Sequence, residues 1–204
     1  MKYEKIFDTF SNGVTRKLKK GDILYNEGSM PEGVFLIKTG LIGLFHVAPN
    51  GKETFLRVFG EGNTIGHRSY FASEVYHASS IALAPTTVEY LSQDKFEEFI
   101  KENPEFIRDV LTQVSQDLGL AELRMSGLHD KTAASRIVES ILFLKLKYPQ
   151  QLWTRKNIAD FSGSTFETVT RVLNKLEKSN EITKNGRDFT INDPERLLSI
   201  IEEI

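Results

Sequence analysis

Two stretches of this 204-residue chain concentrate reactive or recognition-competent side chains. The stretch "NTIGHRSYFASEVYHASS" (63–80) holds two of the four histidines and an arginine among aromatics. The stretch "TRKNIADFSGSTFETVTRVLNKLEK" (154–178) sets Glu167 and Arg171 four residues apart, on one face of any helix containing both. Arginine donates to guanine O6 and N7, and glutamate accepts from cytosine N4, so the pair suits the reading of base edges. The alternative is an ordinary surface ion pair one turn apart.

The first stretch admits several chemistries. Its polar groups can bond one another while Tyr70, Phe71 and Tyr76 fill the space. An acidic effector can sit at a helix N-terminus beside Arg68, where amide groups favour negative charge. His67 or His77 can act as an axial haem ligand, for which one histidine is enough. Zinc is disfavoured: the histidines are ten residues apart, only Glu74 lies near them, and the chain has no cysteine. His46 and His129 read as incidental, although His129 falls near an expected hinge.

The elements that must position these residues are readable from period and punctuation. Residues 13 to 91 carry short apolar runs between glycine turns: "GDILYNEG", "GVFLIKTG", "LIGLFHV", "ETFLRVFGEG" and "SSIALAPTTVEYLS". Such spacing predicts a β-sandwich, barrel or roll. "PNG" at 49–51 predicts a hairpin, with Asn50-Gly51 suited to positive φ. Ser92 is placed to cap a helix that Pro104 ends.

From Pro104 the period changes. Ile107, Leu111, Val114, Leu118, Ala121, Met125 and Leu128 recur at alternating spacings of four and three, an a/d seam. Roughly 25 helical residues span about 37 Å, long for a small roll to cover, so the seam predicts a homodimer. Gly119 weakens this helix by about 1 kcal/mol, or permits a close approach.

Beyond "SGLHDKT" the chain reads helical, then β, then helical. Thr154 is placed to cap a short helix with Ile158, Ala159 and Phe161 inward. Gly163 supplies a sharp turn, and Ser164 or Thr165 caps a second helix with Val169, Val172, Leu173 and Leu176 inward. This is a helix-turn-helix pattern, with Thr165, Phe166, Glu167, Thr170 and Arg171 outward near the start of the second helix. Residues 153–190 hold seven lysines and arginines against five acids, a local charge of +2 in a chain of −2. Arg155, Lys175 and a "TKNGRDF" hairpin carrying Lys184 and Arg187 are candidate phosphate contacts. Asp193 and Pro194 open a closing helix.

The remaining exclusions are short. Without cysteine there are no disulfides, thiol chemistry or cysteine-ligated iron–sulfur clusters. No Gly-x-Ser-x-Gly, P-loop or carboxylate pair with a clear role points to an enzyme. The charged "MKYEKIFDTF" start lacks an apolar core, and "SILFLKLKY" is too short for a membrane span, so a cytoplasmic location is the default expectation.

In this order the segments resemble the Crp/Fnr family of bacterial transcription regulators over nearly the whole chain. The resemblance is carried by "TR..IA...G.....TVTR.L..LE" and by the G-D, E-G and I-x-x-G spacing of the roll. It implies an α+β protein with a jelly-roll-like double-stranded β-roll (1–103), a dimerisation helix (104–128) and a winged helix-turn-helix (129–204). It also implies double-stranded DNA with a TGTGA- or TTGAT-like palindrome as ligand, a second copy of the chain and RNA polymerase as partners, and no membrane. Glu167 and Arg171 match the family's base-reading pair, Thr170 stands where the Fnr branch has serine, and Phe166 occupies a position often held by arginine or a small aliphatic residue.

The family's phosphate-binding cassette falls on Gly66, His67, Arg68, Ser69, His77, Ala78 and Ser79, the candidate effector pocket. Gly66 is kept, but His67 replaces the ribose-binding glutamate and His77 stands about where the phosphate arginine belongs. The adenine-contacting Thr/Ser pair falls near Ala121 and Glu122. Histidine lacks the fork that grips a phosphate. The expectation is therefore a regulator without cAMP and without a required cofactor, its effector unknown. The alternatives are a haem-dependent gas sensor and a cyclic-nucleotide-binding module acting on a protein partner, which would call for an intact glutamate and arginine in the cassette and no recognition helix.

Overall fold

A computed structural model describes residues 13–203; the charged decamer at the amino terminus and Ile204 lie outside them. Eight strands form the first part: β1 Val14–Leu18, β2 Ile23–Tyr25, β3 Gly33–Thr39, β4 Ile42–Val47, β5 Glu53–Phe59, β6 Thr64–Ile65, β7 Ser79–Ala82 and β8 Thr86–Ser92. They make two four-stranded antiparallel sheets, ordered β1-β8-β3-β6 and β2-β7-β4-β5. A short helix α1, His67–Ala72, interrupts them between β6 and β7.

The alternation of β3 explains its unbroken apolar run. Phe35 and Ile37 point into the roll with Ile42, Leu44, Phe59, Ile65 and Val88. Val34 and Leu36 lie on the other face with Leu91, under Phe96, Phe99, Phe106 and Val110. The strand is buried on both sides because helix α2, Gln93–Glu102, and the start of α3, Pro104–Asp130, cover the outer face of its sheet.

Three expectations change in detail. "SSIALAPTTVEYLS" is two strands in different sheets, split at Pro85, which has no N–H to give a ladder. In both Asn-Gly pairs only the glycine takes positive φ, 79° at Gly51 and 63° at Gly186. At the first, the Gly51 amide donates to the Ala48 carbonyl at 2.8 Å with Pro49 next in the turn, so Asn50 needs no left-handed backbone. Asn185 pairs with Asp188 inside the second hairpin and leaves Gly186 as the first turn residue. Ser92 does precede α2, but its hydroxyl makes no capping bond.

Helix α3 runs 27 residues, about 40 Å. Phe106 and Val110 are buried against the roll, while the seam side chains are open, from 37% exposure at Ile107 to 63% at Leu111. The chain divides into two compact units between Leu120 and Ala121, so the last ten residues of α3 group with the second unit.

That unit contains α4 Ala133–Lys147, α5 Arg155–Ser162, α6 Phe166–Lys178, the hairpin β9 Ile182–Asn185 with β10 Asp188–Ile191, and α7 Pro194–Glu203. Its core holds Ile137, Ile141, Leu144, Ile158, Val169 and Ile182. Thr132 caps α4 by accepting from the Ser135 amide. Asp193 caps α7, accepting from the Glu195 and Arg196 amides at 3.0 Å each. No helix among the described residues is long and apolar enough to cross a membrane.

Candidate nucleic-acid interface and sensor cassette

The helix-turn-helix is built by local capping. Thr154 opens α5 with a reciprocal capping box to Asn157. Gly163 closes it at φ 64°, and the Ser164 amide then donates to the Ala159 carbonyl at 3.0 Å. A Cβ on Gly163 would sit 3.3 Å from Leu128, so both conformation and space favour glycine there. Thr165, not Ser164, caps α6, accepting from the Thr168 amide at 3.2 Å. Two arginines finish the end of α5: Arg124 donates to the Phe161 carbonyl at 2.7 Å and Arg136 to the Ser162 carbonyl at 3.2 Å. The Arg124 guanidinium also lies 4.4 Å over the Phe161 ring.

Helix α6 buries Val169, Leu173 and Leu176 and turns its opposite face outward. Glu167 and Arg171 are exposed, and no ion pair joins them among the described residues. Phe166 is 52% exposed. Thr170 turns its hydroxyl onto the Phe166 carbonyl at 2.9 Å. Asn174 and Lys178 share this face with Lys175 around one open depression. Sequence reasoning passed over those two, although the spacing 167, 171, 174, 178 is the helical period that would have found them.

The wing is arranged differently from expectation. Lys184 does not point away: it bonds Glu177 Oε2 at 2.5 Å and Asn174 Oδ1 at 2.7 Å, tying β9 to α6. Arg187, in the turn, stays exposed. Lys145 of α4 reaches Asp188 and lies over Phe189, which fixes β10 from the other side. Arg155 is half-buried beside Trp153 and Leu173, its Nε without a hydrogen-bond partner.

In the cassette, Gly66 precedes α1 at φ 86°, and a Cβ there would sit 3.0 Å from the Gly33 carbonyl oxygen. His67 is 5% exposed, with Nδ1 3.3 Å from Thr64 Oγ1. Burial first, and the Arg57 guanidinium second, push its pKa from 6.5 down to about 4. The ring is therefore neutral at pH 7. Arg68 is exposed and paired with Glu74 at 3.3 Å. Ser69 donates to the Val75 carbonyl at 3.1 Å, and Ser79 accepts from the Glu27 amide at 2.9 Å. Ala78 is fully buried. His77 keeps solvent contact, yet protein crowding on one side and then Arg68 lower its pKa. Thr64, His67, Arg68, Ser69 and Ser79 thus all have partners within the protein, whereas the buried Tyr76 hydroxyl has no hydrogen-bond partner among the described residues. Among the described residues no three His, Asp or Glu side chains are grouped to hold a metal ion.

Arg57 has a second role that no local signal announced. From β5 it reaches Asp117 of α3, 2.5 Å to Oδ2 and 3.1 Å to the main-chain carbonyl. Sixty residues separate the two, so only the fold brings them together.

Comparison with known proteins follows the same division. The model of the cyclic nucleotide-binding domain matches residues 15–103, and that of the Crp-like helix-turn-helix domain matches residues 135–200. An uncharacterized protein of Haemophilus influenzae is 31% identical over 104 residues, covering 51% of this chain and 81% of its own length. The transcriptional activator protein anr of Pseudomonas aeruginosa is 25% identical over 194 residues, covering 91% of this chain and 79% of that protein. The structure of FixK2 from Bradyrhizobium japonicum superposes with a TM-score of 0.81 at 21% identity, over 92% of this chain and 96% of that one.

Proposed function

Because the chain belongs to the Crp/Fnr family of DNA-binding transcription regulators, we propose that it works as a homodimer whose two α6 helices read the halves of a TTGAT- or TGTGA-like palindrome. The observation that carries this reading is the state of Glu167 and Arg171: both are exposed on the first turns of α6 and neither is spent on the other. Recognition helices contact bases through their N-terminal residues, and a free guanidinium and carboxylate there match guanine and cytosine edges. Ser164, Thr165, Lys175, Arg155 and Arg187 surround them as backbone contacts, while Lys184 holds the wing to α6. The open seam from Ile107 to Leu128 supports the dimer, since a two-fold axis is what a palindrome requires. The three expected segments, 1–103, 104–128 and 129–204, serve as sensor, dimerisation helix and DNA-binding domain.

The roll, in this reading, does not answer to cAMP. A neutral, buried His67 lacks the negative charge and the paired oxygens of a glutamate, and its Nδ1 already faces Thr64 Oγ1; Arg68, the one arginine in the cassette, faces Glu74. The test is a mobility-shift titration on a TTGAT/TGTGA-type palindrome, with and without cAMP, against a scrambled duplex. Preferential retardation of the palindrome, unchanged by cAMP, is expected. Equal binding of both duplexes, or binding only with cAMP, refutes the reading.

A further inference from the structure

We propose that Phe166 reads the C5-methyl group of a thymine in each half-site, with the Thr170 methyl beside it. Recognition at that base pair then comes by apolar contact and not by a hydrogen bond. The inference rests on the reading of α6 as the helix in the major groove.

Three observations lead to it. Phe166 is the first residue of α6 and 52% exposed, so the core has not taken its ring. The other aromatic rings of this unit, Phe143, Tyr148, Trp153, Phe161 and Phe189, are each engaged in ring stacking, burial or a cation contact, whereas Phe166 meets no other ring among the described residues. Thr170 lies one turn on, its hydroxyl committed to the Phe166 carbonyl at 2.9 Å. With its one donor so used, what Thr170 offers a partner is its methyl group and an acceptor oxygen. The outer face of α6 thus carries two parallel rows within its first two turns. Phe166 and Thr170 form an apolar row, and Glu167 and Arg171 form a charged row next to it.

The major-groove edge of DNA presents one apolar group, the thymine C5-methyl. A phenyl ring has neither donor nor acceptor and cannot use the polar pattern of any base. A phenyl ring and a threonine methyl flanking a guanine- and cytosine-reading pair therefore select T·A pairs adjoining that pair. The same position filled by arginine would ask for guanine, so the exchange changes the base that is wanted.

The test uses full-length protein and duplexes selected by it from a random-sequence pool. Each thymine of the half-site is replaced in turn by deoxyuridine, which lacks only the methyl group. At one thymine per half-site, wild type should bind the deoxyuridine duplex about fourfold more weakly for each half-site, the effect of one buried methyl. Phe166→Ala should bind thymine and deoxyuridine duplexes alike, and Phe166→Leu should keep part of the preference. If deoxyuridine is neutral at every position, or Phe166→Ala retains the full preference, the proposal is overturned while sequence-specific binding stands. If wild type selects no sequence from the pool, the reading of α6 itself falls, and this inference with it.

Discussion

His67 and Arg171 are single residues whose surroundings lead to opposite tests. The folded pKa of His67 is about 4 against an ordinary 6.5. Between those values the unfolded chain binds a proton at this residue and the folded chain does not. Stability is therefore intact above pH 6.5 and is lost as pH falls toward 4, by roughly 3 kcal/mol from this group alone. His67→Asn keeps an acceptor for Thr64 but cannot take the charge, so its denaturation midpoint should fall less between pH 7 and 4.5. Equal losses in both proteins would place the acid sensitivity elsewhere. Arg171 is exposed, and its removal should leave stability unchanged. Arg171→Ala should weaken operator binding by about 1–3 kcal/mol and relax preference at one base pair. Lys175→Ala should weaken all duplexes alike, as a phosphate contact does. A selected-site profile of each variant separates the two roles.

Elements were legible where their signal is local. The a/d recurrence from Ile107, the Gly163 turn and the buried Val169, Leu173 and Leu176 all lie within one or two turns of their partners, and sequence spacing alone places them. The pairs that fasten one element to another were not legible. Arg57 to Asp117, Lys145 to Asp188 and Lys184 to Glu177 join residues that only tertiary packing brings together, and any surface lysine looks the same in sequence. The strand Val14–Leu18 was missed for a related reason: at an edge and mostly exposed, "VTRKL" carries no apolar alternation. Gly119 is an element-scale test. It sits inside α3 with nothing within 4 Å of an added Cβ, so Gly119→Ala should stabilise the helix by about 1 kcal/mol. The melting midpoint should rise about 2–4 °C. A lower midpoint would mean that a partner's backbone approaches Gly119 closely enough to exclude a methyl group.

At the scale of the whole molecule the proposed dimer is tested at the open seam. Replacing Leu111 and Leu118, both more than half exposed in the single chain, with glutamate leaves the fold of each protomer its full core. Sedimentation of the double variant should show a monomer where wild type at micromolar concentration is a dimer, and operator binding should fall with it. A monomeric wild type would remove the seam from the account. Lys184 carries a last consequence. Lys156 and Lys184 already face carboxylates of their own chain, at 2.9 and 2.5 Å. Each phosphate that a protein cation neutralises contributes about −0.9 to the slope of log affinity against log salt, through the counterions it sets free. A lysine that stays with its own carboxylate, as the less exposed Lys184 is placed to do with Glu177, adds little to this release, so the slope should be shallower than the number of basic residues in the DNA-binding unit suggests. The expected outcome is weak retention on random duplexes, with affinity set mainly by the bases; a salt titration on a scrambled duplex checks it.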